Sequence, residues 1–228
     1  MEKHTAYYEL LKQLTQAACP ICALATRRTR AYLERYLEEG VVHEDTWDGL
    51  VASGAWCGRH AHAIKSFEDG LAVALFYGHM LKKKIANLKA GEALLPHVPG
   101  LAIAPGLLGR IRGDAGQLQC PACSIEQETE RTQAHLVAKA LEEPEAVAAM
   151  LAHPGFCLSH VDMILERAAL THKVAFAAQQ SSKLQALADE LELFVRRSEH
   201  GASEPIGIER DAWKRVLGRY YGLSLGEG

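Results

Sequence analysis

The six cysteines of this chain of 228 residues fall into two copies of one pattern. The first copy consists of Cys19-Pro20-Ile21-Cys22 and Cys57-Gly58-Arg59-His60, and the second of Cys120-Pro121-Ala122-Cys123 and Cys157-Leu158-Ser159-His160. Cys57 follows Cys22 by 35 residues, and Cys157 follows Cys123 by 34. Three thiols and one imidazole are a donor set typical of tetrahedral structural zinc sites. The duplicated spacing therefore predicts an internal repeat in which each half completes its own Cys3His metal site.

Both CPxC motifs have the features of a helix start. Proline is favoured at the first helical position because its missing N–H is not needed there and its φ is already helical. We therefore expect Cys19 and Cys120 to act as N-caps, with Cys22 and Cys123 one turn further along the same face. The C-x-x-H pairs repeat this spacing, so two helix starts can converge on one ion. The positive ends of the helix dipoles favour the thiolate forms that bind metal.

The donor set favours two structural Zn²⁺ ions, one in each half. Four protein ligands leave no open position for a substrate or a reactive water, so we assign no catalytic residue and expect no enzymatic activity. An iron–sulfur cluster is one alternative, because thiolates also hold such clusters. Dithiol–disulfide chemistry is the other, although a thioredoxin-like CxxC normally lies in a βαβ unit, which this sequence does not predict.

The remaining histidines have no counterpart in the other half, which favours surface or capping roles over metal binding. They are His4, His43, His62, His79, His97, His135, His153, His172 and His200. The chain has no HExxH, P-loop or G-x-G-x-x-G motif, and no E-x-x-H typical of di-iron bundles.

The periodicity predicts an all-α fold. Ala, Leu, Glu, Lys and Arg dominate, and no segment alternates with the period of two that marks a strand. We expect a helical bundle of two repeats related by a pseudo-twofold axis, each with a Cys3His site. Trp56, Ile64 and Phe76 align with Phe156, Ile164 and Phe176, which predicts matching core positions. Helices are expected over residues 5–16, 20–39, 44–52, 57–90, 121–141, 144–152, 157–197 and 208–221.

The repeats also define a domain organisation. A first repeat is expected over residues 1–90, and a second over 119–200. Residues 91–118 between them are rich in glycine and proline, which predicts a linker, and its leucines suggest that it packs on the bundle. Residues 201–228 are expected to add a C-terminal amphipathic helix, in which Trp213, Val216, Leu217 and Tyr220 help to close the core.

The composition limits which cellular compartments and which classes of partner are expected for this chain. A net charge of −3 disfavours a sequence-independent nucleic-acid binder, which normally carries a strong positive excess. No secretory signal and no apolar stretch long enough to span a bilayer are found, so we expect a cytoplasmic protein that is not bound to a membrane. Paired cysteines in that compartment are metal ligands or redox thiols more often than disulfides. The partner is an unidentified protein or small molecule, and the oligomeric state is open.

The duplicated motifs resemble those of a family of uncharacterised bacterial and archaeal proteins, a domain of unknown function. Its sequences similarly read CPxC, a helix, a short helix and GFCxxH, twice over. Gly155-Phe156-Cys157-Leu158-Ser159-His160 matches this form, whereas Gly54-Ala55-Trp56-Cys57 departs by one inserted residue and by tryptophan for phenylalanine. The resemblance covers residues 5–200 and implies a duplicated helical fold. It implies the same eight functional residues, namely Cys19, Cys22, Cys57, His60, Cys120, Cys123, Cys157 and His160, and no activity.

The sequence thus predicts a metal-binding helical protein that acts as a binding or scaffold module. The alternative is a redox or sensor protein that uses the same Cys3His sets.

Overall fold

The computed structural model describes residues 5–40, 47, 49–50, 56–90, 120–198 and 205–223. Every regular element in this part of the chain is helical, which confirms the all-α prediction. The pseudo-twofold relation of the repeats stays a prediction. The α-helices, numbered along the chain, are α1 (Thr5–Gln13), α2 (Pro20–Arg35), α3 (Gly58–Ala63), α4 (Gly70–Lys89), α5 (Pro121–Ala140), α6 (Pro144–Ala152), α7 (Leu158–Arg167), α8 (Leu170–Ser198) and α9 (Ala212–Tyr221).

The helix starts that carry the cysteines form as the motifs predict. Helix α2 begins at Pro20 and helix α5 at Pro121, so each proline occupies the first helical position. Cys57 and Cys157 are the N-caps of α3 and α7, with nearly identical extended backbones (φ −65°, ψ 163° and φ −72°, ψ 158°). Local sequence therefore determines the direction in which each pair of donors leaves its helix.

Two expected long helices are each broken into two. The helix predicted over 57–90 ends after α3 in a 3-10 turn over Ile64–Phe67, and Glu68 adopts a left-handed conformation with φ 57°. Helix α4 then starts afresh, because the Asp69 side chain accepts a hydrogen bond from the Ala72 N–H at 2.9 Å. The helix predicted over 157–197 breaks at Ala168, whose ψ of 142° is extended, and this break lets α8 pack back against α7.

The chain forms two compact units that do not follow the predicted repeat boundaries. The first unit contains Met1–Arg28 and Glu126–Gly228, and the second contains Thr29–Ile125. Helices α2 and α5 each contribute their N-terminal and C-terminal parts to different units. The predicted linker over 91–118 lies outside the described residues, as does most of the short helix predicted over 44–52, of which 47, 49 and 50 are described and helical.

Each unit has an apolar core of its own. Phe156, Ile164 and Phe176 are buried in the first unit, where they pack with residues of α1, α5 and α6, and Trp56, Ile64 and Phe76 are buried in the second. These six residues are the aligned pairs, so their predicted burial is confirmed. The ring centroids of Trp56 and Phe76 lie 5.2 Å apart, and those of Phe156 and Phe176 lie 5.8 Å apart. Each buried side chain of this size stabilises its unit by about 1.5–3 kcal/mol relative to exposure.

The C-terminal helix α9 belongs to the first unit and packs against α7 and α8. It closes the core only in part, because Trp213, Leu217 and Tyr220 remain about half exposed. No helix in the described part of the chain combines the length and the apolar character needed to cross a bilayer.

Candidate metal centres

The first centre, called the Cys19 site, consists of Cys19, Cys22, Cys157 and His160 in the first unit. The His160 Nδ1 atom lies 3.4 Å from Cys19 Sγ, 3.3 Å from Cys22 Sγ and 3.1 Å from Cys157 Sγ. The Sγ atoms of Cys22 and Cys157 are 3.6 Å apart. All four residues are buried, and their donor atoms lie within 4.8 Å of one another. The first helical turn of α2 and that of α7 therefore converge on one point.

The second centre, called the Cys57 site, consists of Cys57, His60, Cys120 and Cys123 in the second unit. The His60 Nδ1 atom lies 3.2 Å from Cys57 Sγ, 3.4 Å from Cys120 Sγ and 3.3 Å from Cys123 Sγ. The Sγ atoms of Cys57 and Cys123 are 3.6 Å apart. Cys57 and Cys123 are only partly buried, so this centre lies closer to the surface. Here the N-termini of α3 and α5 converge.

The structure thus combines the predicted ligands in a way that the sequence analysis did not anticipate. All eight predicted residues fall into the two groups, but neither group comes from one half of the chain. The first CPxC joins the second C-x-x-H, and the second CPxC joins the first C-x-x-H. The prediction that each half completes its own site is corrected by this exchange. Each site is instead completed within one compact unit, to which both halves of the sequence contribute.

A hydrogen-bonded loop places Cys157 in the Cys19 site. Gly155 adopts φ 125°, a conformation that favours glycine, and a Cβ there would lie 3.1 Å from Gln180 Oε1. Its N–H donates to His153 Nδ1 at 2.9 Å, and the N–H of Phe156 donates to Gln180 Oε1 at 3.1 Å. The Gly155 carbonyl accepts from the Arg219 guanidinium. Three partners therefore fix the backbone immediately before the ligand.

His153 also connects this loop to the first CPxC. Its Nε2 donates to the carbonyl of Ala18, the residue before Cys19, at 3.0 Å. The side chain is buried, so it does not lie on the surface, and His153 has the capping role that was the other expectation, because it is the C-cap residue of α6. Burial lowers the pKa of His153 to about 4, and the positive charges of Arg219 and Lys183 act in the same direction. The neutral imidazole therefore holds the two ligand-bearing loops together.

The end of α9 covers the Cys19 site. Gly222 has φ 74°, and a Cβ at this position would lie 2.6 Å from Cys22 Sγ and 3.7 Å from Cys157 Sγ. Only a glycine allows the backbone to approach the thiols this closely. Arg219, one turn earlier, brings a positive charge near Cys19 and Cys157, which offsets part of the negative charge of three thiolates.

Glu130 supplies the imidazole of the Cys19 site with an outer partner. Its Oε1 lies 3.4 Å from His160 Nε2, on the side of the ring opposite to the thiols. A carboxylate behind a ligating histidine is a common feature of zinc sites, because it fixes the ring orientation and raises the basicity of the ligand. The Nδ1 atom of His160 is thereby directed towards the three sulfur atoms.

The protonation of the Cys19 site is strongly coupled. Burial opposes the charged form of His160, but the contacts with Cys157, Cys19 and Glu130 outweigh it and raise its pKa to about 12. Hydrogen bonds from Cys19 and Cys22 lower the pKa of Cys157, whereas the contact with Cys157 raises that of Cys22. One thiolate is thus favoured in the centre, and further ionisation requires a cation. A divalent metal ion supplies that charge when it binds and displaces the protons.

In the Cys57 site the pKa values of the thiols are coupled in the same way, with smaller shifts. Burial raises the pKa of Cys57, but hydrogen bonds from the backbone N–H groups of His60 and Arg59, and contacts with Cys123 and Cys120, lower it overall. Burial and the neighbouring thiols raise the pKa of Cys123 to about 12. The backbone donors belong to the first turn of α3, so the helix start itself stabilises the first thiolate.

Several contributors to the Cys19 site were missed by the sequence analysis. Glu130 lies two helical turns after Cys123 on the same helix, but that spacing would have assigned it to the site of Cys123, whereas it contacts His160 of the Cys19 site. Gly155 belongs to the GFCxxH motif, but its conformational role was not anticipated. Arg219 and Gly222 had no local signal, since they reach the site from a helix that lies outside the repeat.

One similar protein is the "Uncharacterized 23.9 kDa protein in xynA 3'region" of Caldicellulosiruptor sp. (strain Rt8B.4). The chain is 23% identical to it over 193 residues, which cover 84% of this chain and 87% of that protein. No family model matches the chain, and no solved structure matches it. The similarity extends over most of both proteins and agrees with the resemblance to a family of unknown function.

Proposed function

We propose that the protein is a zinc-binding helical module in which each Zn²⁺ ion joins a CPxC helix start from one half of the sequence to a C-x-x-H helix start from the other. The observation that carries this proposal is the spacing of the donor atoms. A tetrahedral zinc ion with usual bond lengths separates two sulfur ligands by about 3.8 Å, and a sulfur from a nitrogen by about 3.6 Å. The separations here are 3.6 Å and 3.1–3.4 Å.

This spacing favours a single ion over a cluster. In an iron–sulfur cluster the four protein ligands are divided between two irons or among four, so the irons and sulfides between them spread the ligand atoms further apart than one ion does. The four donor atoms of each centre lie within 4.8 Å of one another, which matches the compact ligand set of a single ion. A closed set of four protein ligands supports a structural role, in which the ion holds two helix starts and the loops that precede them.

A structural zinc leaves the functional surface elsewhere on the molecule. We propose a binding or scaffold role towards a protein or small-molecule partner, without a catalytic residue. Nucleic acid is the less favoured partner because the net charge is −3. All six cysteines are free thiols grouped as metal ligands, a state suited to a reducing compartment, so we place the protein in the cytoplasm.

A redox or sensor function is the second candidate, and the Cys57 site favours it. Cys57 and Cys123 are partly exposed, and their Sγ atoms lie 3.6 Å apart. Accessible thiols of this kind are the ones that oxidants reach first. Under this alternative the same ligands hold iron with sulfide, or cycle between dithiol and disulfide.

The deciding experiment is a measurement of metal and acid-labile sulfide per chain, with a visible spectrum, on protein purified without oxygen. Two zinc ions, no sulfide and no visible band are expected. Iron with sulfide and a visible band would replace the structural proposal with electron transfer or sensing. A metal-free protein that forms disulfides reversibly would favour the dithiol alternative.

A further inference from the structure

A cavity of about 560 Å³ lies in the first unit beside the Cys19 site. It is half open to solvent and is lined by the end of α6, by α8 and α9, and by the loop before Cys19. Aliphatic side chains form much of its wall, including Leu151, Ala186, Leu187 and Leu223. The volume falls within the range of small-molecule sites, which are mostly apolar with a few polar groups that orient the ligand.

The charged residues of this cavity are mainly positive. Lys183, Arg215 and Arg219 line it, together with one carboxylate, that of Glu190. Arg215 forms ion pairs with Glu190 and Asp211. Neither Lys183 nor Arg219 has a carboxylate within 4.0 Å in the part of the chain that the structure describes. The wall therefore carries two cations that no carboxylate neutralises.

These two cations are held by neutral groups. The Lys183 Nζ donates to the carbonyls of Met150 and His153 at the end of α6, and Arg219 donates to the carbonyl of Gly155. Burial lowers the pKa of both side chains, and the charge of Arg219 lowers that of Lys183 further. The thiolates of Cys19 and Cys157 partly offset the positive charge of Arg219, whereas Lys183 has only carbonyl partners. An anion in the cavity would lower the free-energy cost of burying Lys183 and Arg219, and it would offset the repulsion between their positive charges.

We propose that this cavity binds a small aliphatic carboxylate, with its charged group near Lys183 and Arg219 and its chain against Leu151, Ala186 and Leu187. The positive wall selects the anionic group, and the aliphatic wall selects a short apolar chain over a fully polar anion. This inference does not depend on which metal the Cys19 site holds.

The test is calorimetric titration of the full-length, metal-loaded protein with hexanoate, 1-hexanol and hexylamine, which share a chain and differ in charge. Saturable binding of one hexanoate is expected, with 1-hexanol at least about tenfold weaker and hexylammonium not bound. Absence of hexanoate binding, or equal affinity for hexanoate and 1-hexanol, would overturn the proposal.

Three variants locate the site. Lys183→Met should weaken hexanoate binding about tenfold or more, whereas Lys183→Arg, which keeps the charge, should retain most of it. Ala186→Phe fills the cavity and should abolish binding even if Lys183→Met fails to fold. Lys173→Met, on the same helix but not lining the cavity, is the matched control. Unchanged hexanoate affinity in Ala186→Phe with full metal content would contradict the assignment.

Discussion

The two metal centres use the same ligands at the same spacing, yet their surroundings differ. In the Cys19 site all four ligands are buried, Gly222 closes over the thiols, and Glu130 supports the imidazole. In the Cys57 site Cys57 and Cys123 are partly exposed. The position seven residues after Cys22, equivalent by register to Glu130 after Cys123, is the uncharged and buried Thr29. One chelating motif can therefore serve as a sealed centre and as a more accessible one, depending on what later parts of the chain contribute.

The difference arises from the C-terminal helix and from the loop that it contacts. Helix α9 gives the Cys19 site a cover and a compensating charge, and its Arg219 fixes the loop that carries Cys157. These contributions come from outside the repeated segments. We expect the Cys19 site to hold its metal more tightly and to exchange it more slowly than the Cys57 site.

The largest expected effect comes from ligand variants that test which motifs share an ion. Cys22→Ser with His160→Ala removes two ligands of one centre, so one metal ion is lost. Cys22→Ser with Cys57→Ser removes one ligand from each centre, so both ions are lost. Each lost ion should cost up to about 10 kcal/mol of folding free energy in its own unit. Metal analysis together with hydrogen exchange measures both quantities.

Sites completed within each half of the sequence would reverse this pattern. Cys22→Ser with Cys57→Ser would then remove only one ion, and Cys22→Ser with His160→Ala would remove two. That outcome would contradict the exchanged pairing seen in the structure.

The next effect tests the cover over the Cys19 site. Gly222→Ala places a Cβ 2.6 Å from Cys22 Sγ and strains a backbone with φ 74°. We expect a loss of about 3 kcal/mol in the stability of the first unit and faster metal release from the Cys19 site. Chemical unfolding and chelator competition provide the measurements.

The control for this variant is Gly218→Ala on the same helix. A Cβ at Gly218 has no atom within 4 Å, so the change should stabilise α9 slightly. Equal behaviour of the two variants would mean that α9 does not close the site.

His153 should make the first unit more sensitive to acid than the second. Its pKa in the folded protein, about 4, is below the ordinary value of 6.5, so the stability from its neutral form is present above pH 6.5. That stability is lost as the pH falls from 6.5 towards 4, because protonation then favours the unfolded chain. Loss of the two hydrogen bonds of His153 should lower the free energy of unfolding of the first unit by about 2 kcal/mol.

Hydrogen exchange at pH 7 and pH 5 should show this loss in α6 and α7 before it appears in α4. His153→Gln, which has no titrating group, should flatten the pH dependence of the first unit. A variant with the wild-type pH profile would exclude His153 as its source.

A smaller effect is expected from the partner of the His160 ring. Glu130→Gln should weaken metal binding at the Cys19 site by about 10–100-fold, because the amide orients and polarises the imidazole less effectively. Glu128→Gln, on the same helix and 73% exposed, should leave the affinity unchanged. Competition with a chromophoric chelator gives the two affinities, and similar values for both variants would rule out the role assigned to Glu130.

The smallest expected effect is a difference in thiol reactivity. Cys57 and Cys123 should be alkylated by N-ethylmaleimide roughly tenfold faster than Cys22 and Cys157, because only the first pair is partly exposed. Peptide mass spectrometry of protein quenched at successive times resolves the four residues. Faster reaction of the buried pair would reverse the comparison between the sites.

The sequence predicted those features that depend on neighbouring residues. The prolines of the CPxC motifs start α2 and α5, the C-x-x-H motifs start α3 and α7, and the six aligned apolar residues are buried, because helix initiation and helical periodicity act over one or two turns. Two breaks were missed, at Glu68 and Ala168. The first is stabilised by the Asp69 cap. At the second, Arg167 donates to the carbonyl of Met163 in the last turn of α7, and α8 packs back against α7.

The sequence by itself determined the eight residues of the two candidate centres and the helical fold that presents them, since donor type and spacing are local properties. Only the tertiary structure decided which motifs share a candidate centre. The two CPxC motifs are chemically equivalent, as are the two C-x-x-H motifs, so spacing alone cannot distinguish pairing within a half from pairing across halves. Packing of the helix starts makes that choice. It also places Arg219 and Gly222 at the Cys19 site, because both approach from an element distant in the chain, and it joins His153, four residues before Cys157, to the carbonyl of Ala18.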